Sequence, residues 1–168
     1  EGDEVKIGAT VTWSRFTEFV QGYASSGKAP NSKALEELAS RTASIAGAQV
    51  RNLGTIGGNI AITRNKGFLS DWVPPLAALG ARVVGYDGSG YAIEEPLLAF
   101  VQSSEPFAGL ITEVVMPLPG RQVVFKSFRV AKRSRMAHAL VNAGIAASVS
   151  GGKLSHVSVV LGAVDPKP

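Results

Sequence analysis

Cysteine is absent from the 168 residues. That excludes disulfides, thiolate zinc sites and iron–sulfur ligation by this chain, while saying little about compartment. Histidine is scarce. His138 and His156 are the only two, and neither has companions resembling a metal site or a Ser/His/Asp triad, so both read as ordinary residues. No carboxylate pair stands out. No segment approaches eighteen apolar residues without a charge, which argues against a membrane-spanning helix. The opening Glu1-Gly2-Asp3-Glu4 has neither the basic start nor the apolar run of a signal peptide, and the expected location is the cytoplasm. Internal repeats and low-complexity stretches are also missing.

What is present is an ordinary globular composition, 45% hydrophobic and 18% charged, long enough for one domain with a real core. The net charge of +4 is unevenly spread. Arg121, Lys126, Arg129, Lys132, Arg133 and Arg135 follow one another with no acid between them. This run reads either as a solvated basic face or as a site for anionic groups. Nucleic acid is not the expected partner, because paired aromatics, a helix-turn-helix and an RNP-like pattern are all missing.

Val5 to Ala9 reads as a short strand. Thr12 sits where an N-cap belongs, ahead of Trp13, Phe16, Phe19 and Val20 at helical spacing. Asn31 or Ser32 can cap a second helix carrying Leu35, Leu38, Ala39, Thr42 and Ile45. Ser70 or Asp71 can cap another, with Pro74 and Pro75 in its first turn and Gly80 as its stop. The second half reads as β structure. Strands are expected at 81–86, 91–93, 110–116 and 123–130, with a short helix at 96–101 and a hairpin of 141–150 and 154–163 across Gly151-Gly152. The fold class is therefore mixed α+β, with helices first and a mainly antiparallel sheet with packed helices after them.

Residues 47–61 fit neither a strand nor a helix template. Within them, Gly54-Thr55-Ile56-Gly57-Gly58-Asn59 is the most informative stretch. Adjacent glycines permit positive φ and bring backbone N–H groups close to a ligand, and such amides make a nest that suits phosphate. Thr55 and Asn59 add side chains able to hydrogen-bond phosphate oxygens. A plain tight turn is the competing reading. The spacing is not that of a G-x-G-x-x-G dinucleotide fingerprint.

The run Gln49-Val50-Arg51-Asn52-Leu53-Gly54-Thr55-Ile56-Gly57-Gly58-Asn59-Ile60 resembles the flavin-domain signature of molybdenum hydroxylases, the xanthine dehydrogenase and aldehyde oxidase family. Phe68-Leu69-Ser70-Asp71 followed by Pro74 is similar to the family's Ser-Asp segment. The intervening residues 61–67 have no Ser-Pro and look like the longer, basic loop of plant-type members. Phe125 to Arg133, then Ala139 to Gly144, resembles the start of the C-terminal flavin subdomain. The similarity runs from about Val5 to Val164.

The resemblance implies an FAD pyrophosphate wrapped by the loop, with backbone amides of Ile56, Gly57 and Gly58 and side chains of Thr55 and Asn59 on the phosphates, and Gly54 also among the cofactor-binding residues. It implies Asp71 on the ribose side, with helix capping as a rival role. Ile45 matches a position near the flavin where an aromatic residue is common, and helix packing is the rival. Ile111 matches an apolar residue against the isoalloxazine, with core packing as rival. Arg129 matches a cationic position near the pyrimidine edge, where positive charge would stabilise the anionic reduced flavin; an exposed sheet arginine is the rival. No catalytic residue and no metal ligand is implied for this chain.

The resemblance also implies a division into residues 1–119, the second FAD-binding subdomain, and 120–168, the start of the C-terminal flavoprotein subdomain. The smaller N-terminal flavin subdomain would precede it and further helices would follow. Iron–sulfur clusters and molybdopterin are expected on other domains or chains, in a larger oligomer. The expected function is to hold an FAD that passes electrons from iron–sulfur clusters to NAD+ or oxygen, during oxidation of a purine, aldehyde or N-heterocycle. Activity is not expected from this piece alone. The alternative is a structural or interaction subunit that has lost the flavin.

Overall fold

The computed structural model describes residues 4–134 and 136–164. Residues 1–3, Arg135 of the basic run and the last four residues of the proposed C-terminal subdomain lie outside the described residues. The elements run β1 (Glu4–Gly8), α1 (Trp13–Ser25), α2 (Ser32–Ser44), α3 (Ala48–Leu53), α4 (Ile56–Lys66), α5 (Val73–Ala78), β2 (Arg82–Tyr86), β3 (Ala92–Pro96), α6 (Leu97–Gln102), β4 (Leu110–Pro117), β5 (Val123–Ala131), β6 (Ala139–Ser150) and β7 (Lys153–Gly162). The expected α+β class with mainly antiparallel strands is what the chain adopts. The strands form two sheets rather than one: β1-β4-β2-β3 and β5-β6-β7, and every pairing is antiparallel.

Local chemistry explains most of the boundaries. The Thr12 hydroxyl accepts from the Arg15 amide at the start of α1, and the Asn31 carboxamide oxygen accepts from the Ala34 amide at the start of α2; both satisfy amides that a helix leaves free in its first turn. The Ser70 hydroxyl accepts from the amides of Trp72 and Val73 at the start of α5. Gly80, at φ +83°, turns the chain out of that helix without a Cβ clash.

Trp13 and Phe16 of α1, Leu35 and Leu38 of α2, Ile56 and Ile60 of α4, Val73 and Leu76 of α5, Phe100 of α6, and Val83 and Val114 of the first sheet are buried in one core. Trp13 and Trp72 stack within it, ring centroids 4.2 Å apart and nearly parallel. The second sheet docks through α5 on β6 and β7, and through α2 on β5. Its alternation places Phe125 inside and Phe128 outside. Val124, Phe128 and Val130 of β5 and Leu154, Val157, Val159 and Leu161 of β7 are exposed.

The stretch at 47–61, expected to be neither helix nor strand, is two helices. Ala48–Leu53 forms α3 and Ile56–Lys66 forms α4, joined at Gly54 and Thr55. The adjacent glycines do not use positive φ. They sit inside the first turn of α4, where Gly57 is buried against the loop after β1: a Cβ there would lie 2.6 Å from that of Ala9.

Candidate functional site

The α3–α4 junction is tied to the β1–α1 loop by main-chain bonds. Trp13 donates to the Gly54 carbonyl, Ile56 to Val11 and Gly57 to Ala9, the last at 2.9 Å, and Thr12 and Thr55 form an isolated bridge. Thr55 caps α4, its hydroxyl accepting from the Gly58 amide at 3.1 Å, and Asn59 donates to the Thr55 carbonyl. This corrects the expectation of bare amides. Those of Ile56 and Gly57 already have carbonyl partners, and that of Gly58 already has the Thr55 hydroxyl, because the glycines lie within a helix and not in an open nest.

The junction nevertheless keeps two open features. Gly58 is exposed, and a Cβ there would meet only the Thr55 hydroxyl. The Asn59 carboxamide oxygen accepts from Ser70 at 2.6 Å, while no described residue accepts from its NH2.

That Asn59–Ser70 bond leads directly to Asp71. Its carboxylate accepts from Arg129 Nε at 2.9 Å and from Asn142 Nδ2 at 2.6 Å. Asn142 also donates to the Ser70 carbonyl. The side chains of Arg129 and Asp71 are 6% and 10% exposed. Arg129 is therefore no exposed sheet arginine, and its charge is matched by a buried carboxylate. It donates a second time to the Ala137 carbonyl. Helix capping, the rival role for Asp71, falls to Ser70.

Asp71 and Arg129 line a cleft of about 230 Å³, together with Ile45, Ala46, Phe68, Trp72 and residues 136–138. Ile45 is at the C-terminal end of α2, and His138 meets Phe68 edge-to-face. Ile45, Asp71 and Arg129 thus converge. Ile111 does not join them: it is buried on β4, paired with Gly85, within the main core. The basic run does not act as one face either. Arg129 turns inward, while Lys126 pairs with Glu37 and Arg133 donates to the Met136 carbonyl.

Asn142 and Trp72 belong to this region and were not expected there, while Arg51 and His138, which lie in stretches that resemble the family, were given no role. Asn142 had a legible signal, as a carboxamide inside an apolar strand. Trp72 had none, because its stacking on Trp13 depends on where α1 and the start of α5 meet, and the Arg51 bonds depend on the turn between α2 and α3. Among the described residues, no group of three His, Asp or Glu side chains could hold a metal, and no helix is long and apolar enough to cross a membrane.

Comparison with known proteins decides the ancestry. Residues 1–119 match the family described as FAD binding domain in molybdopterin dehydrogenase, and residues 126–168 match the CO dehydrogenase flavoprotein C-terminal domain. The chain belongs to this flavin-domain family. Aldehyde oxidase 4 of Cavia porcellus is 25% identical over 99% of the chain, and aldehyde oxidase 4 of Mus musculus is 27% identical over 96%. The chain spans only 13% and 12% of the length of these two relatives.

Among solved structures, the flavin domain resembles carbon monoxide dehydrogenase from Hydrogenophaga pseudoflava (TM-score 0.79, 24% identity, 99% of this chain and 55% of that one). It also resembles reconstituted CO dehydrogenase from Oligotropha carboxidovorans (TM-score 0.77, 24% identity, 100% and 55%). Quinoline 2-oxidoreductase from Pseudomonas putida 86 is a third likeness (TM-score 0.71, 24% identity, 98% and 54%). At this identity the structures establish the fold. FAD is the cofactor of the family, and the molybdopterin and iron–sulfur centres belong to its other domains.

Proposed function

We propose that this chain holds one side of an FAD in a molybdenum-containing oxidoreductase of the aldehyde oxidase, CO dehydrogenase or xanthine dehydrogenase kind. The observation carrying this reading is the first turn of α4. There Gly58 is exposed with no Cβ over its peptide, and Asn59 has an NH2 that no described residue accepts from, one hydrogen bond from the cleft that contains Asp71 and Arg129. An anion fits a helix start, and an apolar ring fits the Ile45 side of the cleft. Thr55, Gly58 and Asn59 would hold phosphate oxygens, Asp71 would face the ribose side, and Ile45 and Arg129 would flank the ring system. Ile111 would contribute as a core residue behind the site. We read residues 1–119 and 120–168 as two subdomains that both wall the cleft.

When bound, FAD supplies the redox chemistry. The chain's own part is to bind, orient and exclude water. Electrons would arrive from iron–sulfur clusters and leave to NAD+ or oxygen, and the substrate would be an aldehyde, a purine or an N-heterocycle oxidised on another domain. The occupied amides at residues 56–58 and the closed Asp71–Arg129 pair favour a second reading, in which the domain persists as a structural subunit without flavin.

An absorbance scan of the protein with its copurifying chains separates the two. Visible flavin bands near one per chain support the first reading, and their absence supports the second. Gly58→Val is expected to lose the flavin while the domain keeps its thermal midpoint, because a β-branched side chain obstructs backbone approach. Retention of flavin by that variant would remove the loop from the site.

A further inference from the structure

We infer that Arg51 is a positioning residue for the flavin ring, acting through the turn between α2 and α3; the inference rests on the flavin reading above. Helix α2 ends at Ser44, with Ile45 extended as its cap. Ala46 follows at φ +56°, a left-handed conformation that a residue with a Cβ adopts at a cost. Gly47 then caps α3. The strained position is thus held by an alanine, and the turn residues Ile45 and Ala46 both line the cleft.

Arg51 supplies what holds it. One turn into α3, its guanidinium reaches back, and Nη1 donates to the Ile45 and Ala46 carbonyls at 2.9 Å each. Both acceptors lie at the C-terminal end of α2, where carbonyl oxygens carry partial negative charge and a cation is favoured. Arg51 is not among the residues that line the cleft, so any influence on a ligand passes through the two carbonyls. Its charge-assisted bonds hold the Ile45 side chain at the ring position, and the strain at Ala46 is the reason a fixed donor is needed there.

The test is a double-mutant cycle on the protein with its copurifying chains, using FAD affinity from flavin fluorescence titration and the thermal midpoint as two separate readouts. Arg51→Met is expected to weaken FAD binding about tenfold. Ala46→Gly alone is expected to weaken binding less than Arg51→Met does, because it takes a single methyl from the cleft wall. The combination of the two is expected to recover most of the lost affinity, since glycine adopts this φ without a clamp. Arg51→Lys is expected to fall between wild type and Arg51→Met, because an ammonium keeps the charge without the planar fork.

Wild-type affinity in Arg51→Met overturns the inference and leaves the flavin assignment standing. A lowered thermal midpoint with no rescue of binding by Ala46→Gly also overturns it, because Arg51 would then be structural only. Should Arg51→Met fail to fold, the combined variant is expected to restore folding, and its failure to do so overturns the inference as well. A wild-type assembly that takes up no FAD removes the flavin reading and this inference together.

Discussion

Asp71 and Arg129, 58 residues apart in the chain, meet at 2.9 Å with both side chains nearly sealed from water. One follows the glycine-rich segment and the other lies on β5, so the pair joins the two regions matched by separate family descriptions. Removing one partner of a buried pair strands the other charge. Asp71→Asn is expected to cost about 3–5 kcal/mol in urea unfolding. The double change Asp71→Asn with Arg129→Met is expected to cost less than Asp71→Asn alone. Additive costs in the four-way cycle would mean that the two side chains are not coupled.

Much of this arrangement was legible in the sequence. The capping roles of Thr12 and Asn31, the stop at Gly80, and the strands at 82–86, 110–117, 123–131 and the final hairpin all follow from local chemistry, and the structure agrees within a residue or two. The segment at 47–61 was not legible as helix. In α4 the buried positions are Ile56, Gly57, Ile60 and Thr63, while Ile62 is exposed, so no apolar stripe marks the helix, and its two glycines point toward turn. What decides the matter is tertiary: Ala9 and Val11 accept the first amides and leave space only for glycine at position 57. Cleft membership of Ile45, Asp71 and Arg129 came through family resemblance. The closed ion pair and the partner of Asn142 could not be read from any motif, because they depend on β5 and β6 bringing Arg129 and Asn142 to Asp71.

The two glycines should respond differently to alanine. Gly57→Ala places a methyl 2.6 Å from the Ala9 Cβ and is expected to destabilise the fold by about 1–3 kcal/mol. Gly58→Ala meets only the Thr55 hydroxyl. Gain in helix propensity there offsets a disturbed cap, and the expected change is within about 1 kcal/mol. Chemical denaturation of both variants checks the contrast, and equal losses would show that position 58 is also packed for structure.

Acid should loosen the contact between α2 and the second sheet. Burial alone would raise the pKa of Glu37, but hydrogen bonds from Lys126 and from the Ser127 amide and hydroxyl more than offset it, and the carboxyl is held below its ordinary value of 4.5. A depressed folded-state pKa gives stability that is complete above the unfolded value and is lost as pH falls through the folded one. Glu37→Gln is therefore expected to flatten the fall in the urea midpoint below about pH 4.5, relative to wild type. The measurement is a set of unfolding curves from pH 7 to pH 3, and parallel curves for the two proteins would argue against this linkage.

Ligand addition gives a further check on the flavin reading. FAD at about 100 times its dissociation constant is expected to stabilise the folded protein by about 2.7 kcal/mol, a rise of roughly 5–10 °C in thermal midpoint for a domain of this size. Adenosine alone should give a smaller rise, and the Gly58→Val variant none. A midpoint indifferent to FAD in the intact assembly would speak for the flavin-free subunit.

The stacking of Trp13 on Trp72 has a practical corollary. These are the chain's only tryptophans, they lie face to face, and Trp72 is part of the cleft wall. Tryptophan emission from this polypeptide therefore originates at a single address. Excited at the red edge of indole absorption, the chain acts as its own probe of whatever enters or leaves that neighbourhood, with no label attached.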